Sequence, residues 1–200
     1  KFTWIANARV VTVDEEMLLL MKKAGCHLVK FGVESGVQEL LDNVRKGIRL
    51  EDTRKAFKLM HQVGIDSHAH MMLGIPGETE ATIDQTLRFI KEIDPTTVTF
   101  GICTPYPGTP LYDEVAKVHP EIRDGSDSDL GALHKKGLFN SLYTELESDS
   151  LEGAIKRAYR EFYARPKYIM ESIGRIKSTQ DVKRVIKAGT KVLDFAVRGE

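Results

Sequence analysis

Met71–Glu80 reads MMLGIPGETE, and its reading decides the fold. A run of apolar residues ends at Leu73, a Gly-Ile-Pro-Gly corner follows, and a helix begins. Gly74 and Gly77 admit backbone angles that other residues resist, while Pro76 holds its own φ and keeps Ile75 extended. Thr79 is placed to cap the helix, and Glu80 lies in its first turn near the positive end of the dipole. Ile83, Leu87 and Ile90 recur at helical spacing, so Ala81–Ile93 reads as one amphipathic helix. Strand, glycine corner and capped helix make a βα unit, and such corners are where α/β proteins bind ligands.

Working outward, the same unit recurs. Phe2–Ala6 reads as a strand, with Asn7-Ala-Arg9 in the loop after it. Asp14 caps a helix through Ala24, and Gly25 ends it. Leu28–Val33 is a second strand, leading into Glu34-Ser35-Gly36 and a short helix over Val37–Arg45. A helix over Glu51–Val63 precedes the third strand, Ile65–Leu73, and Thr96–Thr104 is the fourth. Strands alternating with helices predict a parallel sheet with crossover helices. Beyond Leu111 the rhythm breaks. His119–Lys136 is polar, Gly137–Tyr143 reads as a short strand or a lid, and helices are expected from Ser150 to Tyr163 and over Asp181–Val197.

Bulk properties narrow the class. Lys plus Arg and Asp plus Glu number 29 each, so no basic footprint points to nucleic acid. No apolar run approaches the ~20 residues of a membrane span. Cys26 and Cys103 are the only cysteines, which makes neither a disulfide framework nor a CxxC metal site. A reducing, cytoplasmic setting is the expectation.

Four features bear on chemistry. Glu34 and Ser35 sit where a parallel strand hands over to its loop, and a carboxylate with a hydroxyl suits a ribose diol or an ammonium. A solvated turn acid and a helix cap are the plain alternative. His68 and His70 alternate on one strand and share a face, yet a metal needs about three or four ligands and no second cluster is visible. Packed or solvated histidines fit better. The cysteines read as buried fillers, and Arg157, Arg160, Arg165 and Lys167 as a solvated helix face.

Three segments together resemble the radical S-adenosylmethionine (SAM) superfamily: Gly25–Gly36 (GCHLVKFGVESG), Met72–Thr79 (MLGIPGET) and Thr104–Tyr112 (TPYPGTPLY). The likeness is to the cobalamin-binding subgroup, with the anaerobic Mg-protoporphyrin ester cyclase and related methyltransferases. Ala154–Met170 is similar to that subgroup's C-terminal helix. The resemblance implies an incomplete parallel (β/α) TIM-like barrel, about four of six strands, with SAM bound at the C-terminal strand ends. It implies a barrel portion over residues 1–112 and a loop with a helical C-terminal appendage over 113–200. By the same resemblance Glu34 and Ser35 would meet the ribose and the amino group of SAM, and Lys46 its carboxylate. Asn7 and Arg9 would complete the polar shell, Met72 and Gly74 would line the adenine, and Thr104 and Pro105 would add contacts from the next strand. His70 would face the substrate.

The family's CxxxCxxC loop for a four-iron four-sulfur cluster is absent from the sequence, so two cysteines cannot supply three thiolates. The expectation is the SAM-binding part of a larger enzyme. That parent would cleave SAM to a 5′-deoxyadenosyl radical for methyl transfer or oxidative cyclisation of a small molecule, using the cluster and in some members cobalamin. The fragment itself is expected to be inactive. Its bare first strand, residues 2–6, is expected to associate with another copy. The competing readings are a non-catalytic binding or assembly module, and a metal-dependent barrel hydrolase using His68 and His70.

Overall fold

Alternation along the strands sets the architecture. The computed structural model describes residues 2–120 and 139–176. Strands β1 (Trp4–Ala8), β2 (Cys26–Glu34), β3 (Asp66–Leu73) and β4 (Thr97–Ile102) form one parallel sheet in chain order. The helices are α1 (Glu15–Lys23), α2 (Gln38–Asn43), α3 (Leu50–Val63), α4 (Glu80–Ile93), α5 (Pro110–Val118), α6 (Ser148–Tyr163) and α7 (Pro166–Gly174). In β2 the side chains of Val29, Phe31 and Val33 are buried, while Lys30, Gly32 and Glu34 between them stay partly open. The same parity buries Ala69, Met71 and Leu73 in β3 and Val98, Phe100 and Ile102 in β4. Helices α1, α3, α4 and α6 cover that buried face in one continuous core. The opposite, inner face carries the polar residues. Parallel strands with helices on the outside make an incomplete (β/α) barrel, as expected.

Local signals hold at the helix starts. Asp14 Oδ1 accepts from Met17 N at 2.8 Å, and Thr79 Oγ1 accepts from Thr82 N at 3.2 Å. The first strand lies two residues later than Phe2–Ala6. Its pairing with β2 runs on until Ala8 meets Phe31, which draws Asn7 into the strand and out of the expected loop. Strand β1 pairs with β2 alone, so one of its edges has no strand among the described residues. Residues 139–143 do not return to that edge. Asn140–Leu142 is a 3-10 turn, not a strand, and packs at the C-terminal end of β3 and β4. The helix expected over Asp181–Val197 and the polar loop 121–136 lie outside the described residues.

Strand β4 is the other edge, and α6 closes it. Tyr163 Oη accepts from Val98 N at 2.9 Å and donates to Val98 O at 2.7 Å. Tyr159 Oη does the same at Phe100, at 3.1 and 3.4 Å. Two hydroxyls thus replace the missing strand. The basic run on α6 and α7 is a solvated face only in part: Arg160 and Lys167 are exposed, while Arg157 pairs with Asp84 at 2.7 Å and Arg165 with Asp94 at 3.0 Å, tying both helices to α4. Tyr163→Phe keeps the ring and strands a backbone donor and acceptor. The expected loss is roughly 1–3 kcal/mol by urea unfolding, with faster hydrogen exchange at the Val98 amide. Unchanged exchange there would show that the hydroxyl does not seal the edge.

Candidate functional site

The C-terminal strand ends gather Glu34, Gly74 and Thr104 on one side of the sheet, as parallel order requires. Glu34 is the most constrained of them. The β2–β3 register shifts between Gly32 and Glu34, and Glu34 itself has φ 66°, a left-handed angle that a residue with a Cβ adopts at a cost of roughly 1–3 kcal/mol. Bulges of this kind re-aim a side chain, often beside a functional site. The carboxylate lies across the inner face and accepts from Lys46 Nζ at 2.6 Å. Gly32 makes this possible, because a Cβ there would fall 2.6 Å from Glu34 Oε1 and 2.9 Å from Lys46 Nζ. Arg9 holds the loop that presents the lysine, donating from Nη2 to Lys46 O at 2.8 Å.

The other expected site residues divide. Ser35 is fully buried, with its hydroxyl 3.2 Å from Thr86 Oγ1 and accepting from Val37 N at 3.1 Å. It faces α4 and fixes the turn after β2. Asn7 is on the inner face but in register with Lys30, four residues before Glu34, or roughly 13 Å down the strand at the usual rise. Met72 is half-buried beside Leu40, Ile75 and Cys103. Pro105 is buried, and Thr104 Oγ1 donates to Ile102 O at 3.1 Å.

Gly74 has φ 77° and neither of its backbone groups is open to a ligand. Its amide donates to Glu78 Oε2, which also accepts from Ile75 N at 3.2 Å. Its carbonyl accepts from Asn140 Nδ2 at 2.9 Å, and the same nitrogen donates to Cys103 O at 3.0 Å. Glu78 and Asn140 were not anticipated. Glu78 lies within the quoted corner, and a carboxylate three and four residues after two free amides was the available signal. Nothing local marks Asn140. Burial drives the Glu78 carboxyl up to about 7, against the opposing pull of the two amides.

His68 and His70 share the inner face, with ring centroids 4.4 Å apart. Burial, then the charges of His70 and Lys30, push His68 down to about 4. Three of the four ring nitrogens lie within hydrogen-bond reach of the Thr97 or Thr99 hydroxyls. Among the described residues no group of three His, Cys, Asp or Glu could hold a metal ion, so the hydrolase reading has no third ligand there. A cavity of about 720 Å³ lies outside the glycine corner, between Asn43, Pro76, Pro110 and Tyr143. It includes neither Glu34 nor the histidines, and the converging charges are on the inner face instead.

A profile described as the radical SAM superfamily matches residues 1–90, from β1 into α4. An uncharacterized methyltransferase of Pyrococcus horikoshii is 30% identical over 174 residues, 86% of this chain and 36% of that protein. The first 90 residues thus carry the radical SAM superfamily pattern, and the likeness to the methyltransferase extends it over most of the chain. The anaerobic magnesium-protoporphyrin IX monomethyl ester cyclase of Rubrivivax gelatinosus is 32% identical over 114 residues, 56% of this chain and 20% of that protein. The radical SAM methyltransferase TsrM of Kitasatospora setae, solved with cobalamin and a four-iron four-sulfur cluster, superposes with a TM-score of 0.52 at 28% identity. The likeness covers 57% of this chain and 23% of TsrM. The chain therefore spans between 20% and 36% of the length of these relatives. No helix among the described residues is long and apolar enough to cross a membrane.

The superfamily's cluster does not fit these residues. Cys26 opens β2 and Cys103 follows β4, so the two thiols lie at opposite ends of a parallel sheet. Both are buried, and burial raises both; at Cys103 the nearby Glu78 and Glu34 carboxylates add to it, to about 12. A cluster needs thiolates that converge.

Proposed function

We propose that this radical SAM chain binds S-adenosylmethionine at the C-terminal ends of its strands, as part of a methyltransferase or oxidative cyclase acting on a small molecule. The observation that carries the reading is the strained, bulge-aimed Glu34 with Lys46 beside it. The amino-acid end of SAM is a zwitterion, and an adjacent carboxylate and ammonium offer its two charges their complements. Glu34 takes the ammonium, Lys46 takes the carboxylate, and Arg9 positions the lysine through its loop. Met72, Gly74, Thr104 and Pro105 shape the adenine side, Gly74 through the tight turn against which Asn140 packs. Bound SAM supplies a methyl group or, once reduced, a 5′-deoxyadenosyl radical.

No step through the cluster is assigned to these residues. Its thiolates would have to come from outside the 200 residues, which on their own are proposed to be inactive in SAM cleavage. The same thiol count favours, as a second reading, a module that binds without catalysis. Cobalamin is proposed for the whole protein on the likeness to TsrM, a cytoplasmic location on the reduced cysteines, and self-association on the open β1 edge.

Calorimetric titration with SAM tests the site. Glu34→Gln and Lys46→Met each remove a charged partner, expected to cost roughly 1.5–3 kcal/mol, or about 10- to 150-fold in Kd. No saturable binding by the unaltered chain would sink the proposal, and equal affinity of the variants would move the site elsewhere.

A further inference from the structure

The inner face carries a hydrogen-bonded chain that the SAM site does not use. Thr97 Oγ1 lies 2.7 Å from His68 Nδ1, His68 Nε2 lies 3.2 Å from Thr99 Oγ1, and Thr99 Oγ1 lies 2.9 Å from His70 Nδ1. A neutral imidazole has one N–H and one lone pair, and a hydroxyl has one hydrogen. If the Thr99 hydrogen lies within the chain, both histidines carry their proton on the same nitrogen. Either Thr97 donates inward and both are Nε2–H, or the whole chain reverses and both are Nδ1–H. In either case the open end is His70 Nε2, which makes no hydrogen bond among the described residues and belongs to an exposed side chain.

Lys30 lies on the same inner face, close enough for its charge to act on both rings. It lies on β2, in register with Asn7 on one side and His68 on the other, half-buried and with no carboxylate partner among the described residues. Burial and the Lys30 charge depress both histidines, and Glu34, the one acid that acts on His70, is already held by Lys46. At neutral pH the row therefore presents one uncompensated ammonium and neutral ring donors. Such a pair is satisfied by an oxyanion, and an oxyanion in turn favours an N–H on His70 Nε2.

We propose that Lys30 and His70 bind an oxyanionic group of the substrate, a carboxylate or a phosphate, and that Thr97, His68 and Thr99 are positioning residues that hold His70 as the Nε2–H tautomer. The proposal rests on the inner face being the substrate side of the SAM site, and it adds the substrate's chemical class.

The test uses the full chain labelled with ¹⁵N-histidine. Long-range proton–nitrogen spectra at pH 7.5 are expected to show Nε2–H on both His68 and His70, and Thr99→Val is expected to leave His70 as a tautomer mixture. Sodium acetate or inorganic phosphate, added at constant ionic strength against chloride, is expected to shift His70 Nε2 saturably. A response to acetate alone indicates a carboxylate site, and one to phosphate alone a phosphate site. Lys30→Met is expected to weaken that binding at least tenfold and Lys30→Arg to retain it, with spectra checking that both variants fold. Nδ1–H on His70, opposite tautomers on the two histidines, a shift that chloride reproduces, or an unaltered titration in Lys30→Met would overturn the proposal. SAM affinity is measured on the same samples, so that an intact SAM site with a silent inner face separates failure here from failure of the SAM reading.

Discussion

Glu78→Gln is expected to stabilise the protein at pH 8 by up to roughly 3 kcal/mol and to leave it unchanged at pH 4. Glu78 is fully buried under the glycine corner, where one carboxylate oxygen accepts the Gly74 and Ile75 amides and the other has no partner among the described residues. Its folded pKa stands at about 7 against an ordinary 4.5. Below the lower value both folded and unfolded chains hold the proton, and the carboxyl carries no penalty. As pH rises from there the unfolded chain ionises first, so stability falls until the folded group also ionises near 7, and the full penalty persists above that. Glutamine keeps an acceptor for both amides and stays neutral throughout. Urea midpoints for the two proteins from pH 4 to pH 8 should therefore diverge as pH rises, while titrations elsewhere in the molecule cancel in the difference. Parallel curves would mean that the corner solvates this carboxylate better than its burial indicates.

Phe162→Ala should cost roughly 3–5 kcal/mol, a large share of the 5–15 kcal/mol typical of a domain. Phe162 is completely buried in α6, meets Tyr163 edge-on and Tyr168 at a tilt, and lies under the Arg165 guanidinium 4.2 Å away. Leu151, Ile155, Ala158 and Phe162 belong to the same core as β2, β3 and α4, so the loss should appear as a lower midpoint of one cooperative transition. A separate early transition, or a cost below about 1 kcal/mol, would show that α6 is an accessory to the sheet and not part of its core.

Those helix-to-sheet contacts mark where local reading stops. Within a few residues, backbone geometry and side-chain pattern settle the outcome. The cap at Thr79, the turn at Gly74, the alternation that puts His68 and His70 on one face, and the parallel order of four strands all follow from neighbouring residues, and all were legible. The three motifs likewise named the superfamily before any coordinates. The strand boundary at Ala8 was less legible, because it depends on how far β2 extends beside it.

Partners far apart in the chain are a different matter. Ser35 looked like a ligand group and is spent on Thr86, 51 residues away, because the turn after β2 packs against α4. Asn140 reaches Gly74 across 66 residues, Tyr163 reaches Val98 across 65, and the arginines of α6 and α7 find acids on α4. No propensity or period encodes such pairs; they arise when helices are pressed onto a sheet and each buried polar group must find a donor or acceptor nearby. By itself, then, the sequence determined a parallel βα framework and which residues stand at its C-terminal edge. Only the tertiary structure decided which of them stay open on the inner face: packing turned Ser35 inward, while the bulge and the left-handed angle at Glu34 turned its carboxylate to Lys46 across the space left by Gly32.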